Sequence, residues 1–302
     1  MSSIARTATA AAAALTIATT NAADAQQQAG SAAKTKPNGH YAAVNGLQLY
    51  YEIHGDGPGT PLVLLHGGLG AIEMFGENLP ALAKGRRVIA VDLQGHGRTA
   101  DIDRPLDARF MADDVAALVR HLALGRADVL GFSLGAGVAL QTAIRHPDVV
   151  RKIVAVSAIA RRDAFYPEIL QQQGFVNAAA AEQMKQTPMY QLYAAIAPRV
   201  QDFPRLLDKI GAAMQQPLDY TKEIATITAP VMFVQGDADI VPPTHAMELF
   251  ALLGGGQRDG GWDGSGRPKS RLAILPGRTH YDIADAPEMV EVAVRWLDEK
   301  AE

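Results

Sequence analysis

A serine between two glycines, set between an apolar run and a run of small residues, constrains this chain more than any other stretch. The residues Gly131-Phe132-Ser133-Leu134-Gly135 follow Ala127 to Leu130, which reads as a short buried strand, and precede Gly137 to Ala143, which reads as a helix. A Gly-x-Ser-x-Gly between strand and helix is a turn so tight that the residues flanking the serine need hydrogen in place of Cβ. The turn pushes the hydroxyl of Ser133 out at the helix N-terminus, where it is exposed as a nucleophile. In a chain with 28 glycines the pentapeptide alone means little. Its weight comes from the strand before it, the helix after it and the partners downstream.

The 302 residues, 48% apolar and 20% charged, allow one large domain or two small ones with an ample core. A formal charge of -4, with Lys and Arg scattered, gives no electrostatic footprint for nucleic acid or an anionic membrane, so the expected partner is a small neutral molecule. The absence of cysteine removes disulfides, thiol catalysis, iron-sulfur clusters and cysteine metal sites together. It is also compatible with life outside the cytoplasm. Residues 1–25 read as a Sec-type secretory signal: Arg6, an apolar stretch from Ala8 to Ala18, and an Ala23-Asp24-Ala25 cleavage site. The stretch is short for a transmembrane helix and no cysteine exists for lipid attachment, so no stable membrane insertion is expected. The mature protein is expected in the periplasm or medium, with residues 26–39 as a linker.

Leu47 to His54 alternates like a half-buried strand, Gly55 to Pro61 is turn chemistry, and Leu62 to Leu65 is a fully apolar strand running into His66-Gly67-Gly68-Leu69-Gly70. A glycine-rich loop at the end of a central strand can turn backbone N–H groups inward, as an anionic oxygen requires. Gly68 is one candidate donor and Leu134, the residue after the nucleophile, is the other. His66 reads as a prop for this loop and not as a proton carrier. After the buried strand Val88 to Val91, Asp92 to Thr99 reads as a structural turn shaping the site wall, His96 included. Phe110 to Leu122 has helical apolar spacing and is the crossover helix leading to the Ser133 strand. His121 and His146 read as surface or cap residues.

From about Leu47 to Ala158 the chain resembles an α/β-hydrolase. His66-Gly67-Gly68, Asp92-x-x-Gly95-His96-Gly97-Arg98-Thr99, Gly131-x-Ser133-x-Gly135 and Arg145-His146-Pro147 carry the resemblance, in that order. It implies a mostly parallel sheet flanked by helices, a triad in the chain order serine, acid, histidine, and no cofactor or metal. After the strand Lys152 to Val156, the pattern between Ala158 and Ala229 turns to helical segments with large side chains, among them Phe165, Tyr166, Met189, Tyr193 and Phe203. In similar hydrolases an insertion here is a helical cap over the pocket, which implies a core of residues 40–158 and 230–302 and a cap of residues 159–229. The β-pattern resumes at Val231 to Gln235 and is expected to stop at Gly236. The family's Gly-x-x-Asp followed by proline maps its acid onto Asp239, with Asp237 as a competing carboxylate expected to serve the turn. After Leu272 to Leu275, the family's loop histidine maps onto His280. Asp285-Ala286-Pro287-Glu288 reads as a capping box for the closing helix, and Leu253 to Lys269 as a lengthened Gly-rich loop whose aspartates do not fit an EF-hand.

The chemistry implied is acyl transfer from a small-molecule carboxylic ester to water, with Ser133 as nucleophile, His280 as base and Asp239 orienting it. Lactonases, C–C bond hydrolases and perhydrolase-type haloperoxidases use the same triad. Dehalogenases and epoxide hydrolases are disfavoured because their nucleophile is an aspartate. A non-catalytic binding protein on this fold has no need of all three triad residues.

Overall fold

Along the run Leu62 to Leu65 successive side chains point to opposite faces, yet all four are fully buried, so this strand has no solvent face. Leu62 and Leu64 pack into one apolar cluster and Val63 and Leu65 into the other, which is how a sheet covered on both sides is written in sequence. The computed structural model describes residues 39–299. The expected signal, residues 1–25, and the linker up to residue 38 lie outside the described residues.

The chain forms β1 (Gly39–Val44), β2 (Leu47–His54), β3 (Gly59–Leu65), α1 (Asn78–Leu82), β4 (Arg86–Val91), α2 (Ala108–His121), β5 (Ala127–Phe132), α3 (Leu134–Arg145) and β6 (Val150–Val156). There follow α4 (Pro167–Gln173), α5 (Ala181–Met184), α6 (Pro188–Ile196), α7 (Phe203–Gln215) and α8 (Thr221–Ile224), then β7 (Val231–Ala238), α9 (Pro243–Leu252), β8 (Arg271–Thr279) and α10 (Pro287–Asp298). One eight-stranded sheet runs in the order β1-β2-β4-β3-β5-β6-β7-β8. The pairs β1–β2 and β2–β4 are antiparallel, and the rest are parallel. The α/β-hydrolase sheet expected from the motifs is therefore present, with β1 added at its edge.

β4 and β5 flank β3 on opposite sides. The connections leaving β3 and β4 therefore part to opposite faces: Leu79 and Leu82 of α1 join the cluster of Leu62, while Met111, Val115 and Leu118 of α2 join that of Val63. Such a divergence opens a crevice at the carboxyl ends of the strands. His66 leaves β3 there and Ser133 leaves β5.

The segment between β6 and β7 is tied at its neck. Tyr220 donates its backbone N–H to the Ala160 carbonyl (3.0 Å) and its hydroxyl to the Ile159 carbonyl (2.9 Å), and Arg162 N–H meets the Leu218 carbonyl (2.9 Å). Phe203, Leu206, Leu207 and Ile210 of α7 join the main core. Lys209 Nζ reaches both carboxylate oxygens of Asp101 (2.9 and 2.6 Å) and the carbonyls of Ile102 and Arg104 (2.6 and 2.8 Å). An ammonium with these acceptors fastens α7 to the loop after β4.

Two expectations are corrected. The capping box at Asp285 does not form: Ala286 is the N-cap of α10, without a side-chain bond, and Pro287 opens the helix. Glu288, the residue that would close the box, is held by Arg278 (2.7 and 2.8 Å). β7 does not stop at Gly236 but runs to Ala238, and its partner β8 runs to Thr279.

Candidate active site

At the end of β5 the backbone turns through Ser133 with φ +53°, a left-handed conformation that side chains rarely adopt. The flanking glycines are sterically required. A Cβ on Gly131 would stand 2.0 Å from the Gly135 carbonyl oxygen, and one on Gly135 would stand 2.3 Å from the Leu65 carbonyl oxygen. The first helical bond of α3, Gly137 N–H to the Ser133 carbonyl (3.1 Å), begins at once. The turn therefore lifts the Ser133 side chain clear of both strand and helix.

β7 and β8 stay paired to their last residues, with Ala238 opposite Thr279, so the next residues of each, Asp239 and His280, leave the sheet side by side. Between Gly236 and Ala238 the pairing is irregular, and the Pro276-Gly277-Arg278 stretch is absorbed as a bulge. Gly236 lacks a Cβ where one would stand 2.2 Å from the Arg278 carbonyl oxygen, and Gly277 takes φ +71°. Asp237 accepts the Gly277 N–H (2.8 Å), so this carboxylate serves the bulge, as expected of the competing aspartate.

Asp239 is buried. Its Oδ1 lies 2.8 Å from His280 Nδ1, and His280 Nε2 lies 3.0 Å from Ser133 Oγ. A carboxylate only accepts, so Nδ1 carries the ring proton and Nε2 is free to accept from the Ser133 hydroxyl. The structure thus brings together the three side chains singled out in the sequence, in the order Ser133, His280, Asp239. The His280 loop is itself held: Asp282 Oδ1 accepts from Thr279 N–H and Thr279 Oγ1, both at 2.7 Å. The Phe132 ring lies 4.9 Å from the imidazole, centre to centre.

The loop after β3 lies against the serine, since a Cβ on Gly67 would come within 2.8 Å of the Phe132 ring and 3.4 Å of Ser133 Cβ. His66, fully buried, orients it. Leu93 N–H donates to His66 Nε2 (3.0 Å), which leaves the proton on Nδ1 for the Gly67 carbonyl (2.7 Å). The same carbonyl accepts the Gly70 N–H (3.2 Å). In a trans peptide the C=O and the following N–H point opposite ways, so pinning the Gly67 oxygen fixes the direction of the Gly68 N–H. The Leu134 amide belongs to the first turn of α3, where helix geometry leaves N–H groups without intrahelical acceptors. His66 is the prop the sequence implied: burial, with His96 beside it, pushes its pKa down to about 3. Burial likewise pushes His96 down to about 4. His146 caps α3 and its Nε2 lies 2.7 Å from Asp113.

Two contacts were not legible in sequence. Ser157, at the end of β6, donates its hydroxyl to Asp239 Oδ2 (2.5 Å), and Gly67 N–H is directed at Met74 Sδ (3.2 Å). A polar residue closing a buried strand was the only signal for Ser157. Among the described residues, no group of three or more His, Asp or Glu could hold a metal ion, and no helix is long and apolar enough to cross a membrane. The Gly-rich loop is built on turns in which Asp259 and Asp263 accept the N–H groups of Gly261 and Ser265, with Trp262 fully exposed.

Residues 60–188 match the family described as alpha/beta hydrolase fold. The chain is 34% identical over 207 residues to the pimeloyl-[acyl-carrier protein] methyl ester esterase of Neisseria meningitidis serogroup B, covering 62% of this chain and 78% of that one. It belongs to the α/β-hydrolase family. This α/β-hydrolase is also 30% identical over 266 residues to the dihydrolipoyllysine-residue acetyltransferase component of the acetoin cleaving system of Pseudomonas putida, over 82% of this chain and 66% of that one. In fold it is similar to the enol-lactonase from Burkholderia xenovorans LB400, with a TM-score of 0.64 at 23% identity, covering 86% of this chain and all of the other.

Proposed function

We propose that this α/β-hydrolase cleaves carboxylic esters by acyl transfer through Ser133. The observation that carries the reading is the continuous hydrogen-bond line from Ser133 Oγ through His280 to Asp239, at 3.0 and 2.8 Å. His280 Nε2 takes the hydroxyl proton as Ser133 attacks the carbonyl carbon, and Asp239 holds the tautomer and stabilises the imidazolium. The amides of Gly68 and Leu134 receive the oxyanion, and one such donor is worth about 3 kcal/mol of barrier. Collapse of the tetrahedral intermediate returns the proton from Nε2 to the departing alcohol. Water then attacks the acyl-enzyme, with the same histidine as base. No step calls for a metal or cofactor.

Residues 159–229 are proposed to act as a cap, because their neck is tied beside the strand ends that carry the site and α7 is fastened across the loop after β4. Similarity to the methyl ester esterase supports an ester substrate. Export to the periplasm or medium, read from residues 1–25, completes the proposal. Active protein found in the cytoplasm with those residues attached would overturn it.

An ester panel of graded acyl length, run on the purified mature chain and on Ser133→Ala, tests the activity. Turnover of one or more esters by the wild type and none by the variant is expected. Turnover of lactones or vinylogous diketones without any ester would replace the reading.

A further inference from the structure

Three adjacent strands, β5, β6 and β7, end in polar residues at one edge of the crevice: Ser133, Ser157 and Asp239. Ser157 follows β6 with φ +52°, nearly the backbone angle of Ser133. A non-glycine residue persists in this conformation only where its surroundings hold it there. The Ser157 N–H is fixed by the Val234 carbonyl of the next strand (2.8 Å), and its fully buried hydroxyl has the Asp239 carboxylate as partner.

The acceptors of Asp239 are divided. Oδ1 takes the His280 Nδ1–H at 2.8 Å and the Ile240 N–H at 2.7 Å, while Oδ2 takes the Ser157 hydroxyl at 2.5 Å. Oδ1 alone, bonded to a backbone amide and the imidazole, leaves the carboxylate plane free to rock about its Cβ–Cγ bond. The bond to Oδ2 removes that freedom. It also places the positive end of an O–H dipole beside the pair formed by Asp239 and His280.

We propose that Ser157 is a positioning residue for the reaction: its hydroxyl locks the plane of Asp239, which keeps the His280 ring aimed at Ser133. The proposal rests on the roles given to Ser133, His280 and Asp239 above.

Two variants separate this role from a structural one. Ser157→Ala deletes the hydroxyl, and Ser157→Gly deletes it while accepting φ +52° without strain. Both are measured by the second-order rate of labelling with a fluorophosphonate across pH 5 to 9, and by kcat and KM on any ester the wild type turns over. Loss of one hydrogen bond to a charged group is expected to lower the labelling rate and kcat roughly tenfold to a hundredfold, with KM changed less than about twofold.

If the wild type fails to label, the reading of Ser133 falls. If the wild type labels and folded Ser157→Gly matches it in labelling rate and in kcat, Ser157 has no positioning role and the proposal alone is overturned. Loss of the folded state in both variants also overturns it, because the hydroxyl would then be a structural anchor.

Discussion

Replacing Asp239 by asparagine separates charge from tautomer at this site. Oδ1 accepts from both His280 Nδ1–H and Ile240 N–H, so the amide oxygen of an asparagine is held at the δ1 position by the backbone. Its NH2 group then faces Ser157 Oγ, which can turn its hydroxyl and accept. His280 therefore keeps its proton on Nδ1, and the variant loses only the charge that stabilises the imidazolium. Opposite charges about 4 to 5 Å apart at an effective dielectric near 20 attract by about 3 to 4 kcal/mol, which converts to roughly 300- to 1000-fold in kcat. This is less than the ten-thousand-fold typical of a triad whose tautomer is inverted. The assay is kcat and KM on an activated ester, with 15N chemical shifts of the His280 ring reporting the protonated nitrogen. A loss of ten-thousand-fold or more with the proton moved to Nε2 would refute the locking of the amide, and a loss below tenfold would remove Asp239 from its role. Asp237→Ala, which strips only the acceptor of Gly277 N–H, is expected to change kcat less than about fivefold and to cost about 1 kcal/mol of stability.

Gly135→Ala places a Cβ 2.3 Å from the Leu65 carbonyl oxygen and is expected to cost about 2 to 3 kcal/mol in urea unfolding, whereas Gly68→Ala meets open space and is expected to fall within about 0.5 kcal/mol of wild type. Equal stability of the two variants would contradict the packing of the elbow. His66 and His96 are buried neutral with pKa values pushed down to about 3 and 4, so below pH 6.5 the unfolded chain binds protons that the folded chain refuses. Their stabilisation is complete above pH 6.5 and is lost on acidification, by up to about 1.4 kcal/mol per pH unit for each histidine. Urea midpoints from pH 7.5 to 5 read this directly, and a flat series would exclude it.

The elbow was legible because its constraint is local: a five-residue turn that cannot hold a Cβ on either side must be written with glycine at Gly131 and Gly135. Asp239 and His280 came from the resemblance, since nothing between residues 237 and 282 reveals by spacing alone which carboxylate meets which histidine. The continuation of β7 and β8 decides that, and it was hidden by Gly236 and Pro276, two residues that ordinarily end strands. β8 is the edge of the sheet, where a proline and a bulge cost no neighbour its pairing. The capping box failed for a tertiary reason, the capture of Glu288 by Arg278, and local pattern carries no trace of such a partner. Ser157 is silent in the sequence because its meaning lies in the neighbouring strand, 82 residues further along the chain.

Mass spectrometry of the chain after treatment with a fluorophosphonate tests the nucleophile most directly. The expected result is a single adduct that peptide mapping places on Ser133, absent from Ser133→Ala and slowed in Asp239→Asn. An adduct on another serine, or ester turnover undiminished in Ser133→Ala, would contradict it.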